Sequence, residues 1–534
     1  MTYEYTAYLA IGAIAMIIIR YFSPKGTGSR APLPPGPTPL PLIGNLRDLP
    51  SPGTEEWLHW LKHKDLYGPL STVQVFGQRL VILNEARLAV DLLEKRSAIY
   101  SDRPDMPFAK LAGWGDGIAL LEYGKRFHSY RKHMHREIGS KLSIARFNDV
   151  QETEVSRFLL QLIDRPQALV SHVRKLAGAV ILKIAYGYSI DYQGQDPLVD
   201  IAEESVEQFS LAVQPGKWLV DLLPILRYIP AWVPGAGFQR TAERFRKHSN
   251  ALADVPFKFV KKRMEEPGFE TSSYLFNLLR DEGITPGSAE EVNVKWSAGS
   301  LYGGGADTTV STILSFFLTM ALFPDVQKRA QEEIDRVVGR GRLPEFTDRE
   351  KLPYVDALVK EALRWHPIGP MGLPHRTTAD DVYKGYLIPK GSLILPNIWA
   401  FCHDPTSYAN PMTFNPSRFL GETPEPDPRN YVFGFGRRIC PGRVLADSNI
   451  FLTIAQTLAA FRIGKMVRDG KEVPIESQYT PGTISHPVPF EVRIQLRDSA
   501  YEGIVRSVEQ WDPRSGDDAE VLRGIVKGEG LGRQ

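Results

Sequence analysis

The sequence predicts a mainly α-helical protein with minor β structure, in which one helix-rich domain with small β-sheets follows an N-terminal membrane helix. Apolar residues recur every three to four positions, as buried helix faces require, over 142–162, 176–185, 292–322, 324–338 and 352–365. Strand-like patterns are limited to 70–83, 383–394 and 490–496, and the first alternates around Phe76-Gly77 as a β-hairpin does. The polar, glycine-bearing residues 499–534 predict a weakly ordered C-terminal tail.

Length, charge and cysteine content narrow the class of protein. The chain has 534 residues, of which 43% are hydrophobic and 24% charged, so it can bury a large core around a cofactor. Its formal net charge of +2 argues against a nucleic-acid-binding protein, which would carry a basic domain or stripe. The two cysteines exclude a disulfide framework and are typical of a reducing compartment.

Residues 1–30 predict a membrane anchor. Residues 5–19 are almost entirely apolar and end at Arg20. This run is short beside the roughly twenty residues that span a bilayer, so a cleaved signal peptide is the alternative. The basic residues Arg20, Lys25 and Arg30 follow the apolar run, whereas a signal peptide has its basic region first. The positive-inside rule then leaves the rest of the chain in the cytosol.

A proline-rich hinge separates this anchor from the main domain. Residues 31–41 contain six prolines and therefore predict a stiff, extended connector before a catalytic domain over 42–498. Within that domain, residues 218–238 are rich in tryptophan, leucine and isoleucine, but three prolines exclude a spanning helix: Pro224, Pro230 and Pro234. Two interpretations remain for this segment, core packing and contact with a lipid interface.

The strongest chemical signal is Cys440, in the loop Phe433-Gly434-Phe435-Gly436-Arg437-Arg438-Ile439-Cys440-Pro441-Gly442. A thiolate that binds an iron porphyrin needs a tight loop, N–H groups directed at the sulfur and a cation for the haem carboxylates. Arg438 can reach a carboxylate, and Phe433 can cover the sulfur. Three glycines permit positive φ and close backbone approach: Gly434, Gly436 and Gly442. A buried structural cysteine is the alternative, and it is the favoured interpretation of Cys402.

A second signal lies within the 292–322 stretch, at Gly303-Gly304-Gly305-Ala306-Asp307-Thr308-Thr309. Each glycine inside a helix costs about 1 kcal/mol relative to alanine, so three in a row indicate a functional need. Without side chains, the helix can lie close over a flat cofactor and leave a groove for dioxygen. There Thr308 offers a hydroxyl donor and Asp307 a proton source. A glycine kink with a buried threonine is the alternative.

Two further elements complete a pattern. Glu361 and Arg364 share a helix face, and Arg418 follows in Pro416-Ser417-Arg418-Phe419. With these elements in order, the chain resembles the cytochrome P-450 family over about residues 33–496. The cysteine loop matches the family's haem signature F-x-x-G-x-R-x-C-x-G, and residues 304–309 match its oxygen-activating segment [AG]-G-x-[DE]-T-[ST]. The resemblance implies the cytochrome P-450 fold, haem b bound through Cys440, and structural roles for Glu361, Arg364 and Arg418.

The same resemblance implies other contacts to haem. Arg131 stands where the family shows W-x-x-x-R, but Phe127 replaces the tryptophan and removes an indole N–H donor. Counting residues back along the chain from Ile-Pro-Lys-Gly at 388–391 favours His375 as a propionate contact, with Arg376 as the alternative. The cysteine loop is expected to contribute four cofactor-binding residues: Phe433, Gly436, Arg438 and Gly442. The basic stretch around Arg131 is either a solvated helix face or a docking surface for an acidic electron donor.

The resemblance also implies a function, that of a single-pass haem-thiolate monooxygenase of the endoplasmic reticulum membrane with a cytosolic catalytic domain. NADPH-cytochrome P-450 reductase, with or without cytochrome b5, would supply electrons, and Asp307 and Thr308 would supply protons for O2. The substrate is expected to be a hydrophobic small molecule, as in fungal members that tailor polyketides or terpenoids. The expected substrate-facing residues are Phe108, Leu111, Trp114, Tyr302, Met371, Gly372, Leu373, Thr483 and Ile484.

Three alternatives remain, two of them enzymes on the same scaffold. The third is a non-enzymatic membrane haem protein or interaction scaffold, which would not need the oxygen groove. An oxidative phenol-coupling enzyme would keep every motif named above. A redox-independent haem-thiolate isomerase or dehydratase would not need an acid and an alcohol side by side, so the intact Asp307-Thr308 pair argues against it.

Overall fold

The computed structural model describes residues 31–51, 53–192, 194–269, 271–281, 283–512 and 517–528. The predicted membrane anchor, residues 1–30, lies outside the described residues. The chain divides into two compact units. The smaller contains residues up to 104, 371–401 and 435–438, and the larger contains 105–370, 402–434 and the chain from 439 onward.

The predicted fold class, mainly helical with small sheets, is confirmed. The described helices are α1 Glu56–Tyr67, α2 Ala86–Ala89, α3 Ser97–Tyr100, α4 Pro107–Leu111, α5 Lys125–Ile138, α6 Lys141–Ala145, α7 Asn148–Asp164, α8 Leu169–Tyr186, α9 Pro197–Ala212, α10 Leu219–Leu222, α11 Gly237–Met264, α12 Tyr274–Asp281, α13 Ala289–Ala306, α14 Thr308–Leu322, α15 Pro324–Val337, α16 Pro353–Trp365, α17 Ile398–Cys402, α18 Arg429–Val432, α19 Arg443–Ala460, α20 Ala500–Arg506, α21 Val508–Trp511 and α22 Asp517–Gly528. The described strands are β1 Leu70–Val75, β2 Gln78–Leu83, β3 His375–Arg376, β4 Asp381–Tyr383, β5 Tyr386–Ile388, β6 Leu393–Pro396, β7 Phe461–Lys465, β8 Val467–Arg468, β9 Lys471–Glu472 and β10 Val492–Leu496.

The smaller unit is built on a four-stranded sheet of order β1-β2-β6-β3. The predicted hairpin is confirmed: β1 and β2 pair antiparallel, and the turn uses left-handed backbone at Phe76 (φ 46°) and Gly77 (φ 84°). The proline-rich segment is extended and lies along this unit, since Thr72 donates its N–H to Pro35 O at 2.8 Å. The sheet buries its inner face under α1, where one cluster forms from Trp60, Val73, Ile82 and Leu395.

The larger unit is a helical body around α8, α13, α14 and α19. Helix α8 packs against α7 and α13, and α19 packs against α14, α15 and α16. The predicted 292–322 helix is divided into α13 and α14 at Asp307. The break has a local cause, because Thr308 Oγ1 donates to Gly304 O at 2.7 Å, and threonine hydroxyls that bond one turn back bend helices.

Within the described part of the chain, only Ala289–Leu322 is long and apolar enough to cross a membrane. Most of that segment is buried inside the larger unit, so it is a core helix pair of this unit.

The tail differs from the expectation of weak order, because the structure places α20, α21 and α22 in it. These helices pack on α7, α9 and α11 of the same unit. The tail is mostly polar, and its few apolar residues did not indicate a buried helix face. The structure nevertheless buries six of them: Tyr501, Val505, Val508, Ala519, Leu522 and Val526. Ion pairs add to this packing, among them Arg157 with Asp512 at 2.9 Å.

Leu522→Ala should therefore destabilise the larger unit. Leu522 is fully buried in α22, and removing such a side chain costs about 2–5 kcal/mol of unfolding free energy. Thermal unfolding and hydrogen exchange of α22 measure the loss. Glu520→Ala, at an exposed position of the same helix, is the matched control. Equal stability of the two variants would contradict the packing described for α22.

Candidate haem-thiolate site

A hydrogen bond joins the two ends of the cysteine loop, both of which belong to the larger unit. The Cys440 N–H donates to Phe433 O at 2.8 Å, and α19 begins three residues after the cysteine. Burial raises the pKa of the Cys440 thiol, while the N–H of Gly442, which donates to the sulfur, and the cations of Arg131 and Arg443 lower it. The sulfur therefore lies where a cation or metal would stabilise its anion.

The three loop glycines have different roles. Gly434 (φ 77°) and Gly436 (φ 51°) use left-handed backbone, as predicted. At Gly436, within the smaller unit, a Cβ would also lie 2.2 Å from Leu93 O, so no other residue is accommodated there without a shift. Gly442 differs from the expectation, because its φ is −89° and any residue can adopt that value. What Gly442 contributes is its N–H to the sulfur.

Arg131 lies on α5 and reaches the cysteine loop from within the same unit. Its Nη1 donates to Ile439 O at 2.6 Å. Burial lowers the pKa of Arg131, and the nearby Cys440 sulfur raises it. Phe127 is buried in an apolar cluster of the larger unit, so the position of the family's tryptophan is filled by packing.

Buried cations converge in the smaller unit. Arg438 is 9% exposed and donates from Nε to Ser101 O at 2.7 Å. Arg103 is 6% exposed and donates to Leu373 O at 2.9 Å and Pro374 O at 2.7 Å. Burial and the nearby Arg438 cation lower the pKa of Arg103 to about 9. Such a cluster can bind carboxylates, because guanidinium groups form strong hydrogen bonds with them.

His375 and Arg376, the two alternatives from the sequence, have different surroundings. His375 is buried, its Nδ1 lies 2.7 Å from Tyr100 O, and burial together with the Arg103 and Arg438 cations holds its pKa well below the usual range. Arg376 instead pairs with Asp102, with 3.0 Å between Nε and Oδ2. His375 thus lies beside the buried Arg103 and Arg438 cations, whereas the Arg376 guanidinium is paired with a carboxylate. Sequence reasoning missed Arg103, which lies in no recognisable motif.

The glycine segment of the larger unit opens one short stretch of α13. Gly304 is exposed, and a Cβ there would meet nothing within 4 Å. Gly303 and Gly305 are packing glycines, because a Cβ at Gly303 would lie 3.2 Å from Leu252 and one at Gly305 would lie 2.8 Å from Ile181. Of the three glycines, Gly304 is therefore the one that could line the expected groove. Its carbonyl accepts a hydrogen bond from the Thr308 hydroxyl.

Asp307 has a partner that the sequence did not suggest. Its Oδ2 lies 3.0 Å from Nε2 of His486, a residue 179 positions further along the chain. His486 lies in none of the sequence motifs described above. Only folding of the chain brings it next to Asp307, at the end of α13.

The predicted structural charges are fully buried together. Arg364 Nε donates to Glu361 Oε2 at 2.8 Å, and Arg418 Nε donates to Glu361 Oε1 at 3.2 Å. Arg364 also donates to the main-chain carbonyl of Cys402, whose thiol is buried with its pKa raised by burial to about 12. These contacts join α16 to the 416–419 turn and to the Cys402 carbonyl.

Several residues expected to face substrate are committed to packing in the larger unit. Phe108 is fully buried and stacks on Trp218 with ring centroids 3.5 Å apart. The Tyr302 hydroxyl donates to Leu198 O, which joins α13 to α9. Trp114 is buried against Phe209 and its indole N–H has no hydrogen-bond partner among the described residues.

Comparison with known proteins identifies the family. The profile of the family described as Cytochrome P450 matches residues 34–494. The chain belongs to the cytochrome P450 family. Cytochrome P450 monooxygenase ppsD of Aspergillus oryzae is 47% identical over 92% of this chain and 94% of the relative. Cytochrome P450 monooxygenase claR of Ampulloclitocybe clavipes is 46% identical over 94% of this chain and 92% of the relative.

A third relative extends the match to nearly the whole chain. O-methylsterigmatocystin oxidoreductase of Aspergillus flavus is 42% identical over 98% of this chain and 99% of the relative. The predicted resemblance is thus confirmed, and with it a haem-thiolate monooxygenase of the kind found in fungal secondary metabolism. Such an enzyme uses O2, electrons from a reductase and a hydrophobic substrate.

The residues present fit haem in each unit taken by itself. The larger unit offers a thiol that already accepts an N–H and lies near Arg131. The smaller unit offers Arg103, Arg438 and His375, beside Ser101, whose buried hydroxyl has no hydrogen-bond partner in the described structure. A thiolate for iron and buried donors for propionates are the two donor types that a haem requires.

Gly304→Ala and Gly305→Ala should have opposite effects on stability. Alanine at 304 meets open space and gains about 1 kcal/mol of helix propensity. Alanine at 305 would lie 2.8 Å from Ile181 Cγ1, and such overpacking costs about 1–3 kcal/mol. Thermal unfolding measures both changes, and adding Ile181→Val to Gly305→Ala should restore part of the loss. Equal effects at the two positions would contradict the assignment of Gly304 to the open face.

Proposed function

We propose that this cytochrome P450 is a membrane-anchored monooxygenase that oxidises a hydrophobic small molecule in fungal natural-product biosynthesis, with a polyketide or terpenoid as substrate. The cysteine loop, closed by the Cys440 N–H and with the Gly442 N–H directed at the sulfur, is the observation that carries the proposal. The relatives support the biosynthetic setting, since one of them is named for O-methylsterigmatocystin.

Each predicted site residue then has a proposed role. Cys440 would hold the haem iron through its sulfur, and Phe433, Gly436 and Gly442 would shape the loop around it. Four residues are proposed to bind the haem carboxylates: Arg131, His375, Arg438 and Arg103. Arg376 has a supporting role, because it pairs with Asp102, which lies next to Arg103 in the chain.

When bound, the haem supplies O2 binding and oxygen-atom transfer. The chain supplies the surroundings of that chemistry. Gly304 leaves room beside α13, and the Thr308 hydroxyl, held by Gly304 O, is proposed to donate a hydrogen bond there. Asp307, at the break between α13 and α14, is proposed to bring protons to that hydroxyl.

We assign the exposed face of α5 to the reductase, with or without cytochrome b5. Lys125, His128, Lys132 and His135 are exposed at helical spacing, so they form one face of α5. Other basic residues of this helix are already paired within the unit: Arg126 with Asp116, and Arg136 with Glu137. A basic face of this kind steers an acidic electron donor toward the helix that carries Arg131.

Phenol coupling is the second candidate reaction, because it needs the same cysteine loop and the same Asp307-Thr308 pair. Purified full-length protein with reductase and NADPH, given a panel of hydrophobic metabolites, separates the two by product mass. A hydroxylated product gains one oxygen atom, whereas a coupled product joins two rings with loss of hydrogen. NADPH consumption that no metabolite stimulates would contradict the proposed function.

Cys440→Ser should abolish thiolate ligation. The reduced carbon monoxide complex of the unaltered protein should show the red-shifted Soret band of a thiolate, and this band should be absent in the variant. Cys402→Ser is the matched control, since that thiol is buried beside Glu361 and Arg364 and should leave the spectrum unchanged. A normal thiolate band in Cys440→Ser would overturn the ligand assignment.

Contact with lipid is proposed for the 218–238 segment as well as for the anchor. Large apolar side chains are exposed there at Ile225 (71%), Tyr228 (68%) and Trp232 (82%). The opposite side is held in the core, with Val220 buried and Trp218 stacked on Phe108. One packed side and one exposed apolar side are typical of an interfacial membrane contact, and they support localisation to the endoplasmic reticulum membrane.

Removing residues 1–30 should release the protein from membranes only in part. Trp232→Asp together with Ile225→Asp in the truncated protein should complete the release, because a carboxylate replaces apolar surface that would be buried at the acyl boundary and is repelled by anionic lipid. Flotation with vesicles of phosphatidylcholine and phosphatidylserine measures binding. Leu142→Asp, at an apolar residue that is 87% exposed on α6, is the control. A truncated protein with no membrane fraction would return the segment to ordinary packing.

A further inference from the structure

We propose that His486 is a positioning residue for Asp307. The imidazole of His486 holds the Asp307 carboxylate in place and passes protons to it. The proposal rests on the proposed role of Asp307 in the monooxygenase reaction. Nε2 of His486 lies 3.0 Å from Oδ2 of Asp307, and the two side chains are 26% and 22% exposed. They are close enough to share a proton, and His486 is open enough to exchange protons with water.

The loop that carries His486 is closed by its own hydrogen bonds. The His486 N–H donates to Thr480 Oγ1 at 3.0 Å, and the Thr480 N–H donates back to His486 O at 2.8 Å. The Ser485 hydroxyl donates to Thr480 O at 2.6 Å. These bonds fix the backbone on both sides of the imidazole, so its position does not depend on Asp307 alone.

The same loop is attached to two helices of the larger unit. Ser311, on α14, donates its hydroxyl to Ser485 O at 2.6 Å. The Ser485 N–H donates to Ile368 O at 2.9 Å, just beyond α16. Since α14 begins one residue after Asp307, the loop is anchored to the helix whose start the acid occupies. The imidazole and the carboxylate are therefore held on a common support.

The other titratable groups near His486 do not replace it. His366 lies 2.7 Å from Ser485 Oγ and stacks on Tyr479. Burial, with the charges of His403 and His486, holds the pKa of His366 well below the usual range, so His366 stays neutral. Burial raises the pKa of Tyr479 to about 12, so it stays protonated. The geometry leaves His486 as the titratable partner in contact with Asp307.

The proposed transfer balances. Hydroxylation of a substrate RH consumes O2, two electrons from the reductase and two protons, and yields ROH and water. In each transfer the N–H bond at His486 Nε2 breaks and an O–H bond forms at Asp307 Oδ2. Water then protonates the imidazole again, and Asp307 passes its proton toward Thr308.

The variant His486→Gln tests separately whether His486 holds the Asp307 carboxylate in place or passes protons to it. A glutamine amide can still donate a hydrogen bond to Asp307, but it cannot carry a proton. Turnover should fall about tenfold, less than the 10²–10⁴ of a group that acts directly, because His486 acts through Asp307. Peroxide released per NADPH should rise. His486→Ala removes both functions and should also raise hydrogen exchange in residues 478–488.

The pH profile distinguishes a relay from a structural contact. Because an imidazolium gives up its proton as pH rises, a relay through His486 predicts that coupling of NADPH to product falls with rising pH in the unaltered protein. In His486→Gln the coupling should be low and nearly independent of pH. His248→Gln is the matched control, because His248 forms a similar pair with Glu204 at 3.5 Å on other helices of the same unit.

The outcomes separate this inference from the proposed function. Uncoupling in Asp307→Asn but unchanged coupling and pH profile in His486→Gln would overturn the role of His486 alone. Unchanged coupling in Asp307→Asn would overturn the role of Asp307 and that of His486 with it. Raised hydrogen exchange in His486→Ala with an unaltered pH profile in His486→Gln would reduce His486 to a structural contact and overturn the relay.

Discussion

In the proposed haem site, the sulfur of Cys440 must remain an anion in a partly buried position, and the groups around it determine whether it can. Burial alone raises the pKa of the thiol, which would favour the protonated form. The N–H of Gly442 and the cation of Arg131 act in the opposite direction. Because a hydrogen bond to sulfur requires a fixed backbone, the loop closure from the Cys440 N–H to Phe433 O belongs to the chemistry as much as to the fold.

The buried charges of α16 are held together at a cost in desolvation. Burying ions is expensive unless every hydrogen-bonding position is used. Glu361 meets this condition, since it accepts from Arg364, from Arg418 and from the Asn415 N–H. The gain is specificity of arrangement: α16, the 416–419 turn and the Cys402 carbonyl are fixed by one set of contacts. This explains the presence of the Glu361–Arg364 pair, which would contribute little to stability on an exposed surface.

The sequence predicted the elements whose signal is local. The hairpin around Phe76-Gly77, the cysteine loop and the glycine segment each depend on residue types within about ten positions, so their patterns are visible without the fold. A feature that depends on distant parts of the chain was missed. His486 meets Asp307 across 179 positions, and no spacing rule connects them. The tail was misjudged because its buried residues are spread thinly over three short helices.

The glycine segment shows where local interpretation was right in kind but incomplete. Three glycines in a helix do need a reason, yet two of them are explained by the approach of Leu252 and Ile181. Only Gly304 leaves open space, and it is also the residue whose carbonyl accepts the Thr308 hydroxyl. The same hydrogen bond accompanies the break at Asp307, which turns the acid away from a regular helical position. The open space at Gly304, the hydroxyl of Thr308 and the displaced carboxylate of Asp307 therefore lie together in one short stretch, and His486 is the long-range contact at its acidic end.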